Sequence, residues 1–377
     1  MAWQQCRGTQ RYVAAADEQY ASHEDGVFAN QKVKCMSAKV KILPSGHEFV
    51  VNDDETILEA ALREHYVLPY GCRNGACGAC KGKVLQGSAE MAKAGENTLT
   101  LDEKSAGMVL FCCARPTTDL VIECKEIGAV RDIPIKSLPC RVESIDKISH
   151  DVAVLSLKLP ANERLQFLAG QYIDIVMKDG KRRSFSLANA PHDDAFLQLH
   201  IRHMPGGTFS EYVFNAMKPK EILRFQGPLG TFFLREDSDK PIIFVASGTG
   251  FAPIKGIVEH AIRKGISRPM RLYWGARNRG EIYMYDLPTS WAEQLPNFEF
   301  TPVLSESPAE DGWTGRTGLV HQAVLDDIGD FSGYQVYACG APVMVEAAHR
   351  SFIERNLPED EFYSDAFFLS KDLKPVP

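Results

Sequence analysis

No stretch of this 377-residue chain approaches the roughly 18 consecutive apolar residues that a membrane-spanning helix requires. Positive charge is also short. The 42 Lys and Arg against 49 Asp and Glu leave a net charge of -7, which makes nucleic acid, bound through concentrated Lys and Arg, an unlikely partner. The opening residues, Met1-Ala2-Trp3-Gln4-Gln5-Cys6, have neither the basic head nor the apolar stretch of a secretory signal, and no repeat or low-complexity tract follows. These absences predict a cytoplasmic protein, with no membrane partner, whose ten cysteines are not a disulfide framework. Close histidine pairs are missing too, except His200 and His203, whose strand-to-loop position points to a solvated surface rather than a metal site.

What is present is a globular composition, 45% hydrophobic and 24% charged, in a chain long enough for two or three domains. Its most informative segment is Gly71-Cys72-Arg73-Asn74-Gly75-Ala76-Cys77-Gly78-Ala79-Cys80, with Cys112 further on. Cys-x4-Cys-x2-Cys with a distant fourth Cys is the plant-type [2Fe-2S] spacing, and four-thiolate zinc sites favour two knuckles where this chain has one. The loop glycines let backbone N–H groups wrap closely around the sulfides. Val109-Leu110-Phe111-Cys112-Cys113 offers two adjacent thiols, of which an extended backbone can turn only one to the cluster. Cys112 is expected as the ligand and Cys113 as a core thiol. Arg73 and Asn74 are read either as part of a docking surface or as solvated loop residues.

Residues 1–37 are polar, without periodicity, and are read as a disordered extension, or a non-native one if translation starts at Met36. A hairpin around Pro44-Ser45-Gly46, a helix bearing Ile57, Leu58, Ala61 and Leu62 capped by Asp53 or Asp54, the cysteine loop and three further short strands predict a β-grasp ferredoxin module over 38–130. A proline-punctuated linker covers 131–138. Six alternating strands and one helix near Thr208–Ala216 then predict an antiparallel β-barrel over 139–236. Apolar strands alternating with amphipathic helices predict a doubly wound α/β domain over 237–377, with its first helix running from Pro253 to Lys264.

Arg183-Ser184-Phe185-Ser186 resembles the Arg-x-Tyr-Ser motif of the ferredoxin-NADP reductase superfamily. The resemblance gives Arg183 the flavin phosphates, Phe185 the isoalloxazine face and Ser186 a place near the reactive N5, with Ser184 between them. Phe185 in place of Tyr keeps the ring contact and loses one hydrogen bond. Gly206-Gly207-Thr208-Phe209-Ser210 opens the barrel helix, whose N–H groups can hold a pyrophosphate; Gly207, Thr208 and Ser210 are the candidates. Gly227-Pro228-Leu229-Gly230-Thr231-Phe232 resembles the turn that closes the flavin domain and is given a structural role.

Ser247-Gly248-Thr249-Gly250-Phe251-Ala252-Pro253, between a buried strand and a helix, is similar to the family's Gly-Gly-Thr-Gly-x-Ala-Pro. Gly248, Thr249, Gly250 and Pro253 are the resulting NAD(P) candidates. Cys339-Gly340-Ala341-Pro342 resembles the Cys-Gly-Pro segment whose thiol approaches the nicotinamide, which implies a catalytic Cys339 beside Gly340, with Ser186 as the second catalytic residue. At the end of the second strand, Arg277 or Arg279 would suit a 2′-phosphate and Glu281 a free 2′-hydroxyl; NADH is weakly preferred. Phe362-Tyr363-Ser364-Asp365-Ala366-Phe367 resembles the terminal stretch that covers the flavin, with Phe367 as the contact, or forms a terminal helix on the core.

The order of motifs resembles the N-terminal-ferredoxin branch of flavin reductases, and two stretches, 272–277 and 362–367, look most like its CDP-6-deoxy-3,4-glucoseen reductases. The resemblance implies FAD, a [2Fe-2S] cluster and NAD(P)H, with electrons delivered to a pyridoxamine-phosphate dehydratase. Two other readings are an oxygenase component as acceptor and an electron-storage module without turnover. A monomer is expected.

Overall fold

The computed structural model describes residues 3–5, 12–14, 37–91, 98–306 and 312–368. Near the start, Trp3–Gln5 pairs antiparallel with Tyr12–Ala14. Of the expected extension, residues 1–2, 6–11 and 15–36, including Cys6, Cys35 and Met36, lie outside the described residues.

The first sheet is built from β1 (Ala38–Leu43), β2 (Glu48–Val51), β3 (Lys81–Gln86), β4 (Met108–Leu110) and β5 (Leu120–Glu123) in the order β2-β1-β5-β3-β4. β1 alternates buried and exposed along its length, so Val40 and Ile42 face the core. Helix α1 (Ile57–Arg63) crosses the sheet and buries Ile57, Leu58, Ala60 and Ala61. Its cap is Thr56 rather than Asp53 or Asp54: the hydroxyl accepts from Glu59 N at 3.2 Å and Glu59 Oε2 accepts from Thr56 N at 2.9 Å. This reciprocal pair satisfies two donors that a lone aspartate would not. A second short helix, Leu101–Ser105, was not expected.

Six strands form the second sheet: β6 (Lys136–Lys147), β7 (Val152–Lys158), β8 (Tyr172–Val176), β9 (Arg182–Ser186), β10 (Leu197–Arg202) and β11 (Ile222–Leu229). They run in the order β9-β8-β11-β6-β7-β10, all antiparallel, and a Leu187–Leu199 bridge joins the two ends into a barrel. Helix α2 (Thr208–Asn215) buries Phe209 and Val213. Val142, Leu155, Leu199 and Phe225 fill the interior.

The third sheet is wholly parallel: β12 (Ile242–Ser247), β13 (Met270–Ala276), β14 (Phe298–Leu304), β15 (Arg316–Thr317), β16 (Gln335–Gly340) and β17 (Phe362–Ala366), in the order β15-β14-β13-β12-β16-β17. Helix α3 (Phe251–Lys264) begins two residues before Pro253, after a tight turn over Gly248–Gly250. Helices α4 (Asp286–Gln294), α5 (Val320–Asp327) and α6 (Pro342–Ile353) complete the layers. The chain order reverses between β12 and β16, which places a crevice at their carboxyl ends. The 362–367 stretch is a strand and its exit rather than a terminal helix. Among the described residues no helix is long and apolar enough to cross a membrane.

Candidate functional site

The cysteine loop curls through left-handed conformations at Arg73, Gly75 and Gly78, the turn geometry that draws successive N–H groups inward. Cys72 N donates to Cys77 Sγ at 3.4 Å and Cys77 N to Cys72 Sγ at 3.3 Å. The Cys77 thiol, then the Asn74, Cys77 and Ala76 amides, hold charge on Cys72 against burial and draw it down to about 6. A Cβ on Gly71 would lie 3.2 Å from Cys77 Sγ. Across the site, Cys80 Sγ lies 3.2 Å from Cys112 Sγ. The four thiols thus fall as two close pairs, and among the described residues no group of three or more His, Cys, Asp or Glu encloses a single ion. Two pairs fit a binuclear cluster, with two thiolates for each iron, better than one tetrahedral zinc.

One expectation about this loop fails. Phe111–Cys113 is a turn, closed by Cys113 N donating to Leu110 O at 2.8 Å, and not extended backbone. Neighbouring side chains are therefore not forced to opposite sides, and Cys113 Sγ sits 3.6 Å from Cys112 Sγ.

Arg73 is turned inward to an ion pair, which departs from both the docking-surface and the solvated-loop readings. Its guanidinium pairs with Asp174 on β8, which is 1% exposed and also accepts from Ser184 Oγ at 2.7 Å. Tyr172, two residues earlier, donates its hydroxyl to Gly71 O at 2.7 Å. The Gly227–Phe232 turn joins in: Thr231 N and Oγ1 both donate to Tyr70 O, and Tyr70 N donates to Thr231 Oγ1. The register Tyr172–Ser186 and Asp174–Ser184 puts all four of those side chains on one face of the sheet, against the cluster loop.

On the other face of β9 lie Arg183 and Phe185. Arg183 bonds only the Arg182 carbonyl and is half-exposed, without a carboxylate partner among the described residues. Phe185 packs on Phe209 with centroids 5.2 Å apart, which brings β9 to the start of α2. There Gly207 is the cap residue and no side chain satisfies the first amides, leaving them for an anion. Thr208 is exposed, whereas Ser210 is buried, its hydroxyl bonded to the Met204 backbone as a brace.

Ser186 donates to Asp365 Oδ2 at 3.0 Å, so β17 of the third domain reaches the flavin-motif strand. Burial pushes Asp365 up to about 6, the Ser186 hydroxyl pulling the other way. Phe367, the expected contact, packs on the α/β core, and its amide donates to Gly340 O at 2.8 Å. Gly250 and Gly340 mark where the turns after β12 and β16 meet: a Cβ on Gly250 would collide with Cys339 O, and one on Gly340 with Ser247 Oγ. Ser247, in place of the usual glycine, accepts from Ala341 N at 2.8 Å and so ties the two turns together. Thr249 is half-buried there, while Pro253 is buried inside α3. Cys339 is fully buried and burial keeps its thiol protonated, so it can line a site but not act as a nucleophile.

The rival ribose readers turn out to be one unit. Glu281 is 3% exposed, its Oε1 lies 2.5 Å from Arg277 Nη2, and its Oε2 accepts from Arg277 N. Arg279 instead lies over the Tyr285 ring. His200 is buried, contrary to its expected solvation: β10 turns Leu197, Leu199 and Ile201 into the barrel and His200 to the other face, which the third domain covers, so that Nδ1 meets Tyr283 Oη at 2.8 Å, and burial, with Lys255 nearby, pushes it down to about 3. His203 is half-buried.

Comparison with known proteins follows this division. Residues 40–117 match the 2Fe-2S iron-sulfur cluster binding domain, 139–234 the oxidoreductase FAD-binding domain, and 244–350 the oxidoreductase NAD-binding domain. The chain is 43% identical over 337 residues to the CDP-6-deoxy-L-threo-D-glycero-4-hexulose-3-dehydrase reductase of Yersinia pestis, covering 89% of this chain and all of that one. It is 33% identical over 343 residues to the reductase component of phenol 2-monooxygenase from Pseudomonas sp. strain CF600, covering 89% and 96%. The Amycolatopsis cytochrome P450 reductase GcoB superposes with a TM-score of 0.72 at 32% identity, covering 88% and 98%. The chain belongs to the iron-sulfur flavoprotein oxidoreductases whose ferredoxin, FAD-binding and NAD-binding domains carry electrons from NAD(P)H through FAD and a [2Fe-2S] cluster to a partner protein.

Proposed function

We propose that this reductase is a monomer that uses NADH to supply single electrons to a dehydratase acting on a nucleotide-linked deoxyhexulose. Cys72, Cys77, Cys80 and Cys112 hold the cluster; Arg183, Ser184, Phe185, Ser186, Gly207 and Thr208 hold FAD, with Ser210 and Phe367 shaping its surroundings. Gly248, Thr249, Gly250, Pro253, Gly340 and the Arg277–Glu281 unit form the dinucleotide crevice. The domains divide at about 38–130, 139–236 and 237–377, with 131–138 as linker. The observation that carries the electron path is the convergence at β9: Ser184 is bonded through Asp174 to the cluster loop, and Ser186 to the last strand of the NAD(P) domain. The 43% identity to the hexulose-dehydrase reductase, against 33% to the phenol monooxygenase component, favours the deoxysugar partner.

Bound FAD would accept a hydride and return its two electrons singly. The protein's own work is orientation and proton handling. Ser186 Oγ, fixed by Asp365, is placed to take the proton that must leave as electrons depart, and ionised Asp365 can receive it. With a carboxyl raised to about 6, the ionised fraction grows as pH rises through 6. Cluster reduction is therefore expected to accelerate across that range in stopped-flow traces. Asp365→Asn should flatten the profile and slow the step by about 10- to 100-fold, within the span of acid–base contributions.

Glu281 neutralises Arg277, so Glu281→Gln should free the guanidinium for a 2′-phosphate and raise kcat/KM for NADPH relative to NADH by about tenfold, about 1.4 kcal/mol. An unchanged ratio in initial-rate assays would remove this unit from coenzyme selection. The partner is tested by mixing the reductase with a purified pyridoxamine-phosphate-dependent hexulose dehydratase or with a phenol oxygenase component. NADH-driven turnover of the first alone supports the proposal; turnover of the second alone sinks it.

A further inference from the structure

We propose that Cys113 is a reserve ligand, a second thiol that takes the fourth position of the cluster when the bond from iron to Cys112 opens. The inference rests on Cys112 being the ordinary fourth ligand, and its basis is the turn at Phe111–Cys113. In a strand, Cys113 would point away into the opposite layer. The turn, held by Cys113 N to Leu110 O at 2.8 Å, instead stacks the thiols so that Cys80, Cys112 and Cys113 form a row with sulfur separations of 3.2 and 3.6 Å.

Cys113 is 4% exposed, and Cys112 is the hydrogen-bonding partner of its thiol in the described structure. Among the described residues its thiol has no other hydrogen-bond partner, and little solvent reaches it. A displacement of about one sulfur–sulfur separation brings it to the place Cys112 holds; Phe111 is pinned by its amide to Cys80 O and by its carbonyl to Leu58 N, so the movement falls on the Cys112 and Cys113 side chains and the peptide between them, in the turn before Ala114–Pro116. The exchange is redox-neutral: the iron–sulfur bond to Cys112 breaks, one to Cys113 forms, and the Cys113 proton passes to the departing Cys112 thiolate. Direct contact between the two sulfurs provides the route for that proton.

The test uses the full-length chain in four forms: unaltered, Cys112→Ala, Cys113→Ala and the double variant. Alanine is chosen because serine could ligate through oxygen. Each is reconstituted anaerobically with ferrous iron, sulfide and FAD, then assayed for iron, acid-labile sulfide and the electron paramagnetic resonance of the dithionite-reduced cluster. Cys112→Ala is expected to keep a [2Fe-2S] cluster with a shifted resonance, the double variant to lose it, and Cys113→Ala to keep the native signal. A Cys112→Ala protein as free of cluster as the double variant overturns the proposal. If Cys113→Ala loses the cluster while Cys112→Ala keeps the native spectrum, Cys113 is the ordinary ligand and both assignments fall. Should Cys112→Ala not fold, cluster loss to an iron chelator decides: several-fold faster loss from Cys113→Ala than from the unaltered protein supports the reserve role, and equal rates overturn it.

Discussion

Cys77→Ser is expected to lower NADH-dependent cytochrome c reduction by about 100-fold or more while NADH–ferricyanide activity, which needs only the flavin, stays near its original value. The size follows from what Cys77 does. As the proposed ligand it would supply a thiolate, and its Sγ accepts from Cys72 N at 3.4 Å, so the substitution removes one ligand and the sulfur acceptor of the Cys72 amide, while the Cys77 amide that donates to Cys72 Sγ is kept. Metal-site variants that disturb only an outer partner already cost about 10- to 100-fold, and a direct ligand should cost more. The same change should bleach the visible absorption of the cluster and leave that of FAD. Equal loss of both activities would mean that Cys77 supports the whole fold rather than the cluster, and no loss of either would place the electron path elsewhere.

The parts of this molecule that depend on near neighbours were legible in the sequence. Cys72, Cys77 and Cys80 lie within nine residues of each other, and the Gly248–Gly250 turn follows directly on an apolar strand. The spacing of each is set by the local backbone that the chemistry needs. What stayed hidden depends on pairs far apart in the chain. Asp174 and Arg73 are separated by 101 positions and Ser186 and Asp365 by 179, and nothing near Asp174 or Asp365 marks either as a partner. The stretch around Asp365 is conspicuous in the sequence for its aromatics, Phe367 among them, and nothing there singles out the carboxylate that meets Ser186. Arg277 and Glu281 were visible as opposed signals because a sequence does not reveal that four positions of a tight turn fold them onto one another. His200 was misplaced for a simpler reason. Its strand was recognised, but the side of the strand that faces the neighbouring domain was read as open to water.

The Arg73–Asp174 pair carries the second large prediction, because it does more than fasten two domains. Asp174 is almost wholly buried and receives both the cluster-loop guanidinium and the Ser184 hydroxyl of the flavin-motif strand, so one carboxylate ties that loop to that strand. Arg73→Gln removes the closer cation and leaves Asp174 with Arg182 Nη1 at 3.7 Å, whereas Asp174→Asn leaves the Arg73 guanidinium without its anion; breaking a buried pair from one side costs about 3–5 kcal/mol, and Asp174→Asn should be the costlier change. Further links, Tyr172 to Gly71 and Thr231 to Tyr70, join the same two domains. Since a displacement of about 1 Å can cost about 100-fold in a positioned reaction, either variant should slow flavin-to-cluster transfer by about 10- to 100-fold in stopped-flow experiments. Arg73→Lys, which keeps the charge but not the forked geometry, should recover part of the rate. A purely structural role predicts parallel falls in thermal stability and in both assays. The clamp predicts that transfer to the cluster falls while hydride uptake from NADH, measured by flavin bleaching in the same traces, keeps its rate. If hydride uptake falls in step, Asp174 acts by holding Ser184 under the flavin, and the contact with the cluster loop is incidental.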